Sequence, residues 1–261
     1  MLEKKDIKDF QEILMNSWPA HHYYFLNGWI MRFTDGVTSR ANSVFPVNYT
    51  GNLNAIDEDI EFVEKAYNMF NLPAMFTLPD YFEPKDLEEK LLEHGYREVG
   101  CITYTMISPI QQLRKETINR DITFNFYSKR INKFSKFLAK YSSRNQNAQV
   151  VLNALVKRII IPKIKCIIAE LNNTVVGTLM GILDPHGFLY IVDMLVHPEF
   201  RQQKIATSMF WKLINEWGIK NGAKTIWLQV ESENVKAVKL YFKLGFEKAY
   251  SYRYFAKTLK R

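Results

Sequence analysis

A chain of 261 residues, 47% of them hydrophobic, has enough apolar material for one large or two small packed domains. No run approaches the ~20 apolar residues that a membrane span needs, and the N-terminal Met1-Leu2-Glu3-Lys4-Lys5-Asp6 has no apolar leader stretch, so a cytoplasmic location without membrane attachment is expected. Cys101 and Cys166 sit in apolar, strand-like surroundings without ligand spacing, and His21-His22 has no partner at ligand spacing, so neither a disulfide framework nor a metal centre is expected.

The net charge of +8 is unevenly placed: Met1 to Lys115 carries 11 Lys and Arg against 17 Asp and Glu, and the remainder 24 against 10, giving −6 and +14. A basic half suits a polyanionic small molecule, and it suits nucleic acid as well. Its densest cluster is Lys129, Arg130, Lys133, Lys136, Lys140 and Arg144, spaced to line one side of a helix and readable as a solvated face.

In chain order, the apolar spacing predicts a helix over Lys5 to Asn16. A hairpin is expected next, from strand-like Gly28–Thr34 and Thr38–Phe45 around Asp35-Gly36. A helix over Asp57–Asn71, a strand over Ala74–Leu78, a helix over Pro84–His94 and a strand over Arg97–Ile107 follow, and Ser108 to Arg120 reads as a linker. The second half reads as a strand at Ile122–Tyr127 and helices at Arg130–Ser142 and Ala148–Ile159. Strands at Lys165–Leu171, Thr174–Leu183 and Phe188–Val196 come next. A helix then starts at Ile205 and stops at Asn221-Gly222, before a strand at Thr225–Val230, a helix at Val235–Leu244 and a strand at Glu247–Ala256.

The stretch from Val192 to Phe246 is the most informative. A strand ends at Val196-His197-Pro198, and the polar turn Arg201-Gln202-Gln203-Lys204-Ile205-Ala206 opens a helix, leaving several N–H groups unpaired and pointing the same way. A second block, Asn234, Ala237, Leu240-Tyr241 and Gly245-Phe246, follows about 30 residues later. In order and spacing the two blocks resemble the GNAT superfamily of N-acetyltransferases. That resemblance implies a mixed α/β fold with a mostly antiparallel sheet, splayed central strands, and acetyl-CoA as cofactor. One departure stands out: the turn's first small-residue position, usually Gly in the family, is Lys204, which helical dihedrals would make sterically allowed.

The chain also resembles itself. Val44 to Gly95 spans 51 residues and Val196 to Gly245 spans 49, each running from a strand end before proline to a Gly-aromatic pair and a final strand. Residues Ser17 to Tyr96 look like the N-terminal module of a group of bacterial GNAT proteins. The expected organisation is thus tandem, with a degenerate GNAT-like module over 1–110 and an acyl-CoA-binding domain over 111–261. The first module lacks the anion-turn register and is not expected to bind the cofactor.

The chemistry implied by the resemblance is transfer of an acetyl group to an amine by direct attack on the thioester. Backbone groups of Leu195 and Val196 would hold the pantetheine arm and polarise the thioester carbonyl, Gln202, Gln203, Lys204, Ile205 and Ala206 would hold the pyrophosphate, and Arg201 would screen its charge. Tyr241 corresponds to the family's general acid or is a core aromatic, and Asn234 contacts the cofactor, caps a helix, or does both. For the base, Asp193 is either a carboxylate raised by burial or a structural partner of Arg or Lys, with Glu231 next in line; His197 occupies a position the family uses for backbone geometry. Trp29, Arg32, Arg40 and Asn42 are the candidates for lining the acceptor cleft, or else they stabilise the hairpin and the module contact. The acceptor is a small-molecule or protein amine, the chain a monomer or homodimer, and nucleic acid is not an expected partner. A non-catalytic acyl-CoA sensor and a nucleic-acid-binding module are the alternatives.

Overall fold

The computed structural model describes residues 4–258. The first module holds α1 (Lys4–Ser17), β1 (His22–Leu26), β2 (Trp29–Phe33), α2 (Ile56–Met69), β3 (Met75–Pro79), α3 (Leu87–Glu93) and β4 (Arg97–Pro109). The second holds β5 (Thr123–Tyr127), α4 (Asn132–Tyr141), α5 (Gln146–Val156), β6 (Ile164–Leu171), β7 (Thr174–Leu183), β8 (Phe188–Val196), α6 (Ile205–Leu213), β9 (Thr225–Glu231), α7 (Val235–Lys243) and β10 (Glu247–Ala256). Among the described residues no helix is long and apolar enough to cross a membrane.

Eight strands form one continuous, mostly antiparallel sheet in the order β3-β10-β4-β9-β8-β7-β6-β5. The last strand of each module crosses to the other. β4 pairs with β9 from Thr103↔Glu231 to Pro109↔Thr225, and β10 inserts between β3 and β4. Around the β4–β10 pair the two halves repeat one another, since β8 runs parallel to β9 and Val44 makes a parallel bridge to Phe76 of β3. This strand exchange gives the internal resemblance its structural form. The connection at 110–122 is therefore a link between interleaved halves rather than a spacer between separable ones.

Side-chain alternation in the central strands sorts the layers. On β8 and β9, Tyr190, Val192 and Trp227 join α1, α4 and α5 in one core, while Leu189, Ile191, Ile226 and Leu228 join α6 and α7 in another. A third core, around Trp29, Tyr67 and Phe76, is built from the first module and Phe255 of the inserted β10. Beyond Leu213 the sixth helix widens into a π-helical stretch, Ile214–Gly218, and a 3₁₀ turn, Ile219–Asn221, before Gly222 at φ 95° ends it.

The expected hairpin is corrected. β1 pairs with β2 across Asn27-Gly28, both with positive φ (46° and 84°), the dihedral pattern of a type I′ turn. Only glycine fits at position 28, where a Cβ would lie 1.6 Å from Asn48 O. Asp35-Gly36 is a turn as well, but the chain after it coils into a 3₁₀ turn at Ser39–Ala41. Of the predicted strand over Thr38–Phe45, only the Ile30↔Phe45 bridge remains beside the Val44 bridge.

Candidate acyl-coenzyme A and acceptor cleft

The site grows from a failure of pairing. β8 and β9 are hydrogen-bonded from Phe188↔Thr225 to Ile191↔Leu228 and then part. Past that point β8 stays with β7 and β9 stays with β4. The divergence coincides with a bulge on β8: the register shifts between Met180↔Val192 and Thr178↔Leu195, and Asp193 takes a left-handed φ of 51°. Strand directions alternate, and the His197 N–H donates to Val176 O at 2.9 Å on the β7 side. The Val196 N–H therefore faces the opened wedge, as the extra-strand role requires.

At the end of β8 the chain turns through Gln202 at φ 64° and Lys204 at φ 59° into α6. Among the described residues, the N–H groups of Gln202, Gln203 and Lys204 have no acceptor, and α6 adds the unpaired donors of its first turn at Ile205 and Ala206. Consecutive free N–H groups at a helix start, with left-handed residues among them, form a concave anion site. This donor set fits a pyrophosphate. Arg201, exposed and at the edge of the cleft, adds a cation free of any described ion-pair partner.

Lys204 does not keep helical dihedrals: it occupies the left-handed region in which the family's glycine is at ease. Its ammonium is drawn to Thr117 Oγ1 in the inter-module connection, so the side chain is tethered there. Neighbouring groups brace the same turn. The Asn119 N–H donates to Ser208 Oγ at 2.8 Å, Asn119 Nδ2 to Gln203 O at 3.2 Å, and Ser208 Oγ to Lys204 O at 2.8 Å. Sequence reading missed Thr117, Asn119 and Ser208, since only the fold brings the connection against the turn.

A left-handed L-residue costs roughly 1–2 kcal/mol, and glycine returns about 0.5–1 kcal/mol of that through unfolded-chain entropy. Lys204→Gly should therefore stabilise the protein by up to about 1 kcal/mol, read as a higher denaturant midpoint. A midpoint that falls would show that the tether to Thr117 outweighs the strain.

The wedge opens into a cleft of about 400 Å³ that Tyr241, Asn234, Arg201, Arg144 and Arg40 help to line. Tyr241 projects from α7 with 8% exposure, and its hydroxyl makes no hydrogen bond to a described residue. Burial first, and Tyr190 nearby second, push its phenol well above the usual value. Asn234 Oδ1 accepts the Ala237 N–H at 3.3 Å, so it caps α7 while facing the cleft.

Several expectations about side chains are corrected. Asp193 is not an available base: its carboxylate, 3% exposed, is held by Arg130 through one oxygen and by Arg144 Nη1 at 3.3 Å through the other. Two guanidiniums thus engage both of its oxygens. This also breaks up the basic helix face, because Arg130 and Arg144 turn inward and Lys133 pairs with Glu170. His197 is fully engaged, with Nδ1 accepting the Glu199 N–H at 3.2 Å and Nε2 on Tyr141 Oη at 2.9 Å.

Trp29, Arg32 and Asn42 lie in the interior of the first module, not on the cleft. Trp29 is 0% exposed, with Nε1 donating to Glu83 O at 3.0 Å. Arg32, also 0% exposed, stacks on Phe45 at 3.6 Å and donates to Ser43, and burial pushes it down to about 10. Asn42 Oδ1 accepts from Thr34 N at 2.6 Å while its Nδ2 donates to Thr34 O and Thr38 O, doing the work of a turn. Of the four, only Arg40 reaches the cleft.

A larger cavity, about 540 Å³, lies under α1 between Phe10, Ile13 and Phe188, with acids at its rim. It has no anion-binding turn and sits apart from the wedge. Among the described residues no group of His, Cys, Asp and Glu is placed to hold a metal, and Cys101 and Cys166 are free thiols.

A mixed sheet with a bulged, splayed central pair leading into an N–H-rich turn and helix defines an acyltransferase class of fold. Residues 136–246 match the model of the Acetyltransferase (GNAT) family, and residues 5–100 match that described as "Probable histone acetyltransferase Rv0428c C-terminal". Residues 136–246 are therefore a GNAT acetyltransferase domain. It is 26% identical over 257 residues, 95% of its length and 98% of the other's, to the "Uncharacterized N-acetyltransferase YobR" of Bacillus subtilis. In structure it resembles a GCN5-related N-acetyltransferase from Kribbella flavida, with TM-score 0.71, 12% identity, and coverage of 98% of this chain and 96% of that one. It also resembles a tandem GNAT protein from the clavulanic acid biosynthesis pathway, with TM-score 0.60, 9% identity, and coverage of 81% and 73%.

Proposed function

We propose that the protein is an N-acetyltransferase that uses acetyl-CoA and an amine acceptor, with the second module holding the cofactor and the first supplying part of the acceptor wall. The observation that carries this reading is the wedge between β8 and β9, with the free Val196 N–H inside it and the unpaired N–H groups of residues 202–204 at its end. When bound, acetyl-CoA supplies an activated thioester. The Val196 N–H is positioned to polarise a carbonyl. Gln202 to Ala206 and Arg201 anchor a diphosphate, and Tyr241 holds a proton for a leaving thiolate. With Asp193 taken up by Arg130 and Arg144, Glu231 is the carboxylate left on the cleft to accept the amine's proton, directly or through water.

The test is calorimetric titration of acetyl-CoA and coenzyme A into wild type and Arg201→Ala, followed by thiol release over an amine panel. Loss of the Arg201 contact should weaken binding about tenfold, the low end for a hydrogen bond to a charged group, and wild type should release thiol with some amine. Binding without release would favour a non-catalytic acyl-CoA sensor, a reading supported by Lys204 standing where glycine is usual. No binding of either ligand would remove the acyl-CoA reading. Nucleic acid is not among the partners of this reading, and steeply salt-dependent binding of DNA or RNA at low salt would overturn it.

A further inference from the structure

The cleft carries more positive charge than the chain neutralises. Arg40 leaves the 3₁₀ turn Ser39–Ala41 of the first module and reaches the second, where its Nε donates to Tyr252 Oη at 3.1 Å and Tyr190 lies alongside. It forms no ion pair with a described residue, and the groups that act on it most strongly are the tyrosines Tyr252, Tyr190 and Tyr254. Arg144 shares Asp193 with Arg130, so one buried carboxylate serves two guanidiniums. Burial first and the Arg40 charge second pull Arg144 below its ordinary value, against the opposing effects of Tyr190 and Glu231, which places the two cations within each other's field. Beside them Tyr190 donates to Gln229 Oε1 at 3.5 Å, and the buried Gln229 Nε2 has no acceptor.

These groups share one side of the sheet. Tyr190 and Tyr252 pack with α1, α4 and α5, whereas α6, whose start carries the anion turn, and Tyr241 pack on the opposite face. Arg40 and Arg144 are therefore not part of the pyrophosphate site. A half-buried guanidinium without a counter-ion is costly, and the cost is relieved when an anion completes the cluster. Two planar forks and an amide donor match a carboxylate's two oxygens better than a single point charge would.

We infer that Arg40 and Arg144, with the Gln229 amide, form a carboxylate subsite on the acceptor face of the cleft, and that the natural acceptor is an amine bearing a carboxylate, of the amino-acid type. The inference rests on the acyl-CoA reading for the location of the acceptor. The same chemistry could be met by a terminal carboxylate on the acyl chain, and the experiment separates the two sources.

Full-length protein with coenzyme A is titrated with amino acids and their matched carboxamides, and with glutarate, which has no amine. Thiol release is then compared for acetyl-CoA with each acid and amide pair, and for succinyl-CoA against acetyl-CoA with a neutral amine. The acid member should bind at least about tenfold more tightly than its amide, as hydrogen bonds to charged groups allow. That ratio should collapse toward one in Arg40→Gln and Arg144→Gln and partly return in Arg40→Lys. The two substitutions lie on separate segments, so a folding defect in one leaves the other informative. A preference that follows succinyl-CoA instead would keep the subsite and move the carboxylate to the acyl chain.

Equal binding of acid and amide in wild type, a ratio unchanged in both Gln variants, or a preference for lysine in peptides over free amino acids would overturn the inference. Carboxylate-selective binding without thiol release would remove acyl transfer while leaving the subsite. Thiol release without selectivity would do the reverse.

Discussion

Asp193→Asn is expected to destabilise the protein by about 3–5 kcal/mol, the range for removing one partner of a buried ion pair. The cost arises from what is left behind. Arg130, with 5% side-chain exposure, would lose its only described carboxylate, and Arg144 would lose its ion-pair partner while still facing Arg40. Asparagine keeps the shape and one carbonyl acceptor, so packing is not the variable. The bulge should survive too, since asparagine tolerates the φ of 51° that Asp193 adopts. Urea denaturation of the pair of proteins measures the loss, and replacing Arg130 by Met in the Asp193→Asn background should recover part of it, because the stranded cation is then gone. A change below ~1 kcal/mol, the scale of an exposed pair, together with a large fall in turnover, would restore Asp193 to the role of base.

How much of this was legible in the sequence varies with the range of the forces involved. The strand at Phe188–Val196, the turn after it and the capped helix beginning near Asn234 are set by local periodicity and end signals, and the structure places them as read. The hairpin was read around Asp35-Gly36, and Asn27-Gly28, not singled out in the sequence, is the turn that pairs two strands; all four residues have positive φ. Asn27-Gly28 was chosen by the fold because β1 lays Tyr24 against Phe62 and His22 against Phe70 on the outside of α2. Helical dihedrals at Lys204 were a natural expectation for a helix start, yet the residue is left-handed, a geometry that glycine adopts more easily, and the turn is braced by Thr117 and Asn119. The exchange of β4 and β10 has no local signature, since pairing partners more than a hundred residues apart leave the pattern of each strand unchanged.

The acceptor wall was the least legible part for the same reason. Trp29, Arg32, Arg40 and Asn42 all stand near the hairpin in sequence, and burial alone separates them: three support the first module's core, and one crosses to Tyr252 and the cleft. Nothing in residue type distinguishes Arg32 from Arg40. Similarly, the basic stripe from Lys129 to Arg144 had the spacing of a solvated helix face, but Arg130 and Arg144 lie outside α4 and turn toward Asp193.

On the proposed reading, Tyr241→Phe should lower kcat by about 10²–10⁴, the usual contribution of a positioned general acid, with the affinity for coenzyme A little changed. The substitution removes one oxygen from a side chain that is otherwise packed against Phe246 in the α6–α7 core, so the fold should hold. The pH dependence separates this role from simple packing. Burial holds the phenol above its ordinary value, so it stays protonated through neutral pH and beyond, and no loss of the acid form should appear below about pH 10. In wild type the rate should therefore climb with pH as the amine loses its proton, and Tyr241→Phe should lie below it by a near-constant factor over that range. A variant that retains full turnover, or one that fails only because coenzyme A no longer binds, would take Tyr241 out of the proton path and leave it as an aromatic wall of the cleft.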